Sequence, residues 1–169
     1  MDLLYITLKN ELNTFKKNGL RVTYIGDISF FPGKVVDIIM QTVDETRDNT
    51  VLNLNLALGY SSRQEIINAV KNISKKVISN QIKLEDIDAD MFSSELDLNI
   101  DVGDPDLLIR TGGESRVSDF LLWQIAYSEI FFSNKYWPDF DKDEYMKAIL
   151  SFRNTERRFG KISEQINKK

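Results

Sequence analysis

The chain has 169 residues, of which 42% are hydrophobic and 28% charged, with a formal net charge of −4 and no cysteine. That length suffices for one domain with its own core. The acidic balance argues against a general nucleic-acid binder, and the lack of cysteine excludes disulfides and any cysteine-based metal or nucleophilic site. No apolar run approaches a membrane span, and Met1 is not followed by a basic segment and an apolar signal core, so a cytoplasmic location is expected.

Residues 2–18 read as a helix, with Leu4, Leu8, Leu12 and Phe15 on one face and Gly19 as its stop. Arg21 to Ile25 is a strand. Pro32 opens a second helix through about Thr46, with Val35, Ile39 and Val43 aligned. Leu52 to Leu58 alternates as a strand does. Ser62-Arg-Gln-Glu65 reads as a capping box, starting a helix whose face is Ile66, Val70, Ile73 and Val77. Residues 79–105 are acidic, connecting and partly helical. Asp106 to Ile109 reads as a short buried strand, and Ser118 as the N-cap of a helix through Phe120–Trp123 and Ile125–Tyr127. Glu129 to Phe132 is a further strand, and a final helix runs from near Asp141 to about Arg158, before a frayed Lys168-Lys169 tail. No internal repeat is visible. Strands alternating with helices predict an α/β fold, a mainly parallel sheet flanked by helices, in a single domain over 1–169.

The most chemically loaded stretch runs from Asp106 to Glu129. Arg110 falls where a strand ends, which in open α/β sheets is where ligands collect. Gly112 and Gly113 let a backbone turn and a ligand approach its amides. Arg110, Arg116, Ser118 and a helix N-terminus there could converge on one diphosphate, because a guanidinium fork grips phosphate oxygens bidentately. The competing reading pairs Arg110 and Arg116 with Glu114 and Asp119 on a solvated loop, and the residues alone leave the two evenly balanced.

The same stretch, Asp106-Leu-Leu-Ile-Arg110-Thr-Gly-Gly-Glu114-Ser-Arg116-Val-Ser118, resembles the signature region of the cis-prenyltransferases, the isoprenyl transferases that include undecaprenyl diphosphate synthase. The likeness continues through Glu129-Ile-Phe-Phe, Trp137-Pro-Asp-Phe140 and Arg157-Arg-Phe-Gly160, and upstream through Ile25-Gly-Asp27 and the strand leading to Arg63. It implies that Arg110, Arg116, Val117 and Ser118 hold the diphosphate of isopentenyl diphosphate, and that Glu129 is a ligand for Mg²⁺. It also implies that Arg158 and Gly160, an Arg-x-Gly element, reach a neighbouring subunit's site in a homodimer. A basic helix end is the bland alternative for Arg158, and an ordinary helix-end charge for Glu129. Asp119 departs from the family's usual asparagine, and Gly59-Tyr-Ser-Ser-Arg63 from its usual Asn-Tyr-Gly-Gly-Arg.

The resemblance implies condensation of isopentenyl diphosphate with an allylic diphosphate such as farnesyl diphosphate, giving a cis-polyprenyl diphosphate of the undecaprenyl carrier type. At most a peripheral membrane contact through the lipid product is implied. The family's opening Asp-Gly-Asn-Gly-Arg-Trp loop, with its essential aspartate, is nowhere in the sequence, nor is the Ser-Glu-Asn-Trp segment or any histidine. Met1 to Leu12 instead resembles the family's third helix. The chain therefore reads as an N-terminally truncated cis-prenyltransferase with the first strands missing, retaining no catalytic residue and inactive alone. The alternative is a non-catalytic dimer partner of a full-length enzyme.

Overall fold

The first helix follows its apolar stripe. α1 spans Asp2–Lys17, with Leu8 and Leu12 buried and Leu4, Tyr5 and Phe15 packed on the cluster around Leu8, Ile28, Val35, Ile38 and Ile39. The computed structural model describes residues 1–98 and 103–155. They fall into two compact units, Met1–Ile100 and Asp101–Lys169.

In the first unit, β1 (Leu20–Ile25) and β2 (Leu52–Ala57) run parallel, with Leu20 beside Leu52 and Ile25 beside Ala57. Parallel neighbours need a crossover, and α2 (Gly33–Thr46) supplies it, with Pro32 as the residue before its first turn. Its buried face includes two threonines, Thr42 and Thr46. Their hydroxyls donate to the carbonyls of Ile38 and Thr42, each at 2.7 Å. Thr46 Oγ1 also accepts from the Val22 amide at 3.0 Å, so the buried hydroxyl is satisfied and α2 is tied to β1.

α3 (Ser62–Ile78) begins one residue earlier than the capping box predicts. Ser61 is the N-cap, its hydroxyl accepting from the Gln64 amide at 3.4 Å. Glu65 is buried, accepting from the Tyr60 hydroxyl and from the Asp97 amide. That anchorage sets the rotation of α3: its inward face is Ser62, Glu65, Ala69 and Ile73. Val70, five residues and about 140° beyond Glu65, turns outward and is 51% exposed. The acidic connection carries a 3₁₀ turn at Leu84–Asp86 and a short helix, α4 (Ala89–Ser94), capped by Asp88; residues 99–102 lie outside the described residues.

The second unit holds β3 (Leu107–Arg110) and β4 (Glu129–Phe132), again parallel, with Leu107 beside Glu129 and Arg110 beside Phe132. β3 is half-buried along its length rather than fully buried, because a two-stranded pair leaves an open edge on each strand. The predicted helix over 120–127 is absent. Ser118, Asp119 and Leu121 have φ of 57°, 61° and 47°, and a right-handed helix needs negative φ. Ser118 therefore caps no helix, and the crossover is a series of turns, with Ile125 N bonding to Leu121 O at 3.0 Å and Ser128 N to Ile125 O at 3.0 Å. Leu121 and Ile125 are still buried, so the apolar spacing serves packing without the helix. After β4 and a 3₁₀ turn at Trp137–Asp139, α5 (Lys142–Asn154) starts where Asp141 accepts from the Glu144 amide at 2.9 Å. It ends at Asn154, short of the expected Arg158, because Thr155 is extended, and the Lys168-Lys169 tail lies outside the described residues. Among the described residues no helix is long and apolar enough to cross a membrane.

Candidate functional site

Arg110 ends β3, and its guanidinium turns onto the loop that follows. Nη1 donates to the Arg116 carbonyl and, at 2.9 Å, to Ser118 Oγ. Three of the residues singled out in the sequence, Arg110, Arg116 and Ser118, are thus brought together. A cavity of about 330 Å³ opens there, lined by the polar side chains of Arg110, Thr111 and Ser118 and by the apolar ones of Leu108, Val117 and Phe120. A lining that combines a guanidinium and a hydroxyl with apolar side chains suits a ligand with a charged oxygen head and a hydrocarbon body.

Two parts of the anticipated anion site are built differently. The Gly112 and Gly113 amides do not face the cavity as free donors: they bond to Lys135 O at 2.8 Å and Ser133 O at 2.9 Å. Both glycines sit at positive φ, 92° and 77°, which is what those two bonds demand of the turn. The second missing part is the helix N-terminus, removed by the left-handed residues at 118 and 119. Attraction for an anion therefore rests on side chains. Arg116 Nη1 meets the Glu114 carboxylate, so the solvated-loop pairing holds at Arg116, while Arg110 is turned to Ser118.

Glu129 stands apart from this cluster. It opens β4 in register with Leu107, three residues along β3 from Arg110, or about 10 Å at the rise of a strand. Its amide donates to Asp106 O at 3.0 Å. Among the described residues no group of three or more acidic, histidine or cysteine side chains could hold a metal. A cation caged by protein alone does not fit that donor set. A Mg²⁺ taking one carboxylate and otherwise substrate oxygens and water does. Arg158 and Gly160 lie outside the described residues.

A second cavity, about 550 Å³, lies at the carboxyl ends of β1 and β2 and is lined by Gly26, Asp27, Tyr60, Glu65 and Asp97 among others, with no lysine or arginine among the described residues that line it. Asp97 accepts from the Gly26 amide at 3.1 Å. Burial pushes its carboxyl above the usual range, the Gly26 amide opposes that, and Glu65 adds to it. Asp27 is held below that range by Ser29, whose amide donates to it at 2.8 Å. Nothing in the sequence marked Asp97, and Glu65 was marked only as a cap, because the Glu65–Asp97 and Gly26–Asp97 bonds span 32 and 71 residues. The loops of the two strands interlock here: a Cβ on Gly59 would lie 2.2 Å from Asp27 O, and one on Gly26 would lie 2.5 Å from Leu58 O.

Residues 1–160 match the family model described as "Putative undecaprenyl diphosphate synthase". An isoprenyl transferase from Porphyromonas gingivalis is 44% identical over 166 residues, which cover 98% of this chain and 65% of that protein. A probable undecaprenyl diphosphate synthase from Campylobacter jejuni superposes with a TM-score of 0.82 at 38% identity, covering 95% of this chain and 72% of that one. Lavandulyl diphosphate synthase from Lavandula x intermedia, in complex with dimethylallyl diphosphate, superposes with a TM-score of 0.89 at 30% identity, covering 95% of this chain and 69% of that one. The chain spans less than two thirds of the length of the isoprenyl transferase. The α/β architecture of parallel strand pairs and the ordered motifs from Ile25 to Phe140 agree with these matches, and the chain belongs to the undecaprenyl diphosphate synthase family of cis-prenyltransferases.

Proposed function

We propose that this chain carries the isopentenyl diphosphate half of a cis-prenyl diphosphate synthase. The observation that carries the reading is the Arg110 clasp, a guanidinium held over Ser118 and the Arg116 carbonyl at the end of a parallel strand and at the mouth of a part-apolar cavity. Arg110, Arg116 and Ser118 bind the diphosphate head, and Val117, Leu108 and Phe120 pack against the five-carbon body. In the reaction the allylic diphosphate leaves from its first carbon as the isopentenyl double bond attacks there. A proton is then lost, leaving a new cis double bond. The residues of this chain orient the nucleophilic partner and balance the charge of its head. Mg²⁺, when bound, supplies charge neutralisation of phosphate oxygens, and Glu129 is the residue here that would hold it. The dimethylallyl diphosphate in the lavandulyl diphosphate synthase complex supports an allylic diphosphate as the other substrate.

The working unit in this reading is a cytoplasmic homodimer. The 169 residues contain no Asp-Gly-Asn-Gly-Arg-Trp loop, so the polypeptide by itself binds the nucleophilic substrate without condensing it. Titration with isopentenyl diphosphate is expected to give saturable binding that Arg110→Ala abolishes, while farnesyl and isopentenyl diphosphates with Mg²⁺ yield no product. Binding untouched by Arg110→Ala sinks the half-site, and robust condensation by a preparation of confirmed intact mass sinks the division of labour.

A further inference from the structure

We infer that Glu114 occupies the anion position of Arg116 in the unliganded chain and is displaced by the incoming diphosphate, so that this glutamate sets the affinity of the site by competing with its ligand. The inference rests on the half-site reading and adds a regulator to it. Arg110 needs no ligand to be aimed, since the Arg116 carbonyl and Ser118 Oγ both accept from it. Arg116 has a different restraint, the Glu114 carboxylate two residues before it in the loop. A carboxylate offers a guanidinium two oxygens in the same fork geometry as two oxygens of a phosphate. Glu114 is therefore a chemical stand-in for the ligand and restrains Arg116, whose neighbours Val117 and Ser118 line the cavity.

The pair is also built to open. Its side chains are 67% and 45% exposed, so water replaces the lost contact. The turn before it is held by the Gly112 and Gly113 amides on Lys135 O and Ser133 O, so the pair can part by side-chain rotation while the turn stays in place. Exchanging Glu114 for a diphosphate gains a ligand with more charge and more oxygens, at the loss of one exposed ion pair.

The test is calorimetric titration of the full chain with inorganic pyrophosphate and with isopentenyl diphosphate, for wild type, Glu114→Gln, Arg116→Gln and the double variant, in the presence of a chelator and again with Mg²⁺. Competition by one exposed ion pair predicts that Glu114→Gln binds both probes about two- to fivefold more tightly. In the Arg116→Gln background the same change should do nothing, because no guanidinium remains to compete for. A merely structural role for Glu114 would persist in that background. Weaker or unchanged binding by Glu114→Gln overturns the inference, as does a loss seen only with Mg²⁺, which would make Glu114 a cation ligand. If neither wild type nor Glu114→Gln binds either probe, the half-site reading fails along with it. If wild type binds in an Arg110-dependent way and Glu114→Gln does not improve on it, only the inference fails.

Discussion

Each unit of this protein ends a parallel strand pair in a glycine-containing loop beside a cavity, yet the two loops use glycine for different reasons. At Gly26 and Gly59 two loops touch, and an added Cβ would strike backbone oxygens at 2.5 and 2.2 Å. At Gly112 and Gly113 an added Cβ would find nothing closer than 4.0 and 3.7 Å, and glycine is there for φ alone. The linings differ too: carboxylates and a tyrosine in the first unit, Arg110 with Ser118 in the second. The carboxyl end of a parallel strand says where a ligand can collect, and the charge of the lining decides which ligand it can be. The locked loop with acid around it reads as architecture, and the open loop with a cation as recognition.

Substitutions can break or sharpen that contrast. Gly59→Ala should be the most damaging, costing about 2–4 kcal/mol from the left-handed backbone and the overpacked oxygen. Gly112→Ala should cost about 1 kcal/mol, and equal losses in chemical denaturation would erase the distinction. Arg110→Ala removes charged hydrogen bonds worth about 1.5–3 kcal/mol each. It should weaken pyrophosphate binding at least tenfold and also lower the denaturation midpoint, because its bonds to the Arg116 carbonyl and Ser118 are lost. Glu65→Ala orphans the Tyr60 hydroxyl and the Asp97 amide. It should lower stability by about 1–3 kcal/mol, and a stability unmoved by it would remove the first cavity's architectural role. Asp141→Ala removes the cap of α5 and should lower the melting temperature.

The smallest effect separates the units by the sign of a pH slope. Asp141 is held below the usual carboxylate range by Lys135 and then by the Glu144 amide. Its folded value is depressed, so its stabilisation is present above the unfolded value near 4 and is lost as pH falls through the folded one. Asp97 is pushed up, chiefly by burial. The folded chain then holds that proton more tightly than the unfolded chain does, and stability falls as pH rises from the unfolded value through the raised one. Relative to wild type, Asp97→Asn should therefore gain stability between pH 3 and pH 7, and Asp141→Asn should lose it. Matching slopes in urea denaturation would contradict the assignment of both groups.

The elements most legible in the sequence were those whose period matched their packing: α1 from Leu4, Leu8 and Leu12, and the strand at Glu129–Phe132, which was met residue for residue. The clustering of Arg110, Arg116 and Ser118 was legible because a strand end and a short loop can carry little else. The crossover after them was not, since an i, i+4 pair such as Leu121 and Ile125 can be buried by turns as well as by a helix. No local rule requires Ser118, Asp119 and Leu121 to be left-handed. The withdrawal of the glycine amides was hidden for another reason: their acceptors, Ser133 and Lys135, come after β4 and reach them only once the strands have paired. The same long range concealed Asp97 and the buried bonds of Glu65.

The spent amides of Gly112 and Gly113 carry an evolutionary consequence. A phosphate cradle made of backbone N–H groups survives most substitutions, because every residue but proline presents the same donor. With these two amides committed to Ser133 and Lys135, the proposed half-site at the end of β3 has to rely on side chains. In that reading, single codon changes at 110, 116 or 118 would erase its recognition, and one at 114 would retune it, without disturbing the turn that carries them. A site of that kind drifts easily within an unchanged fold.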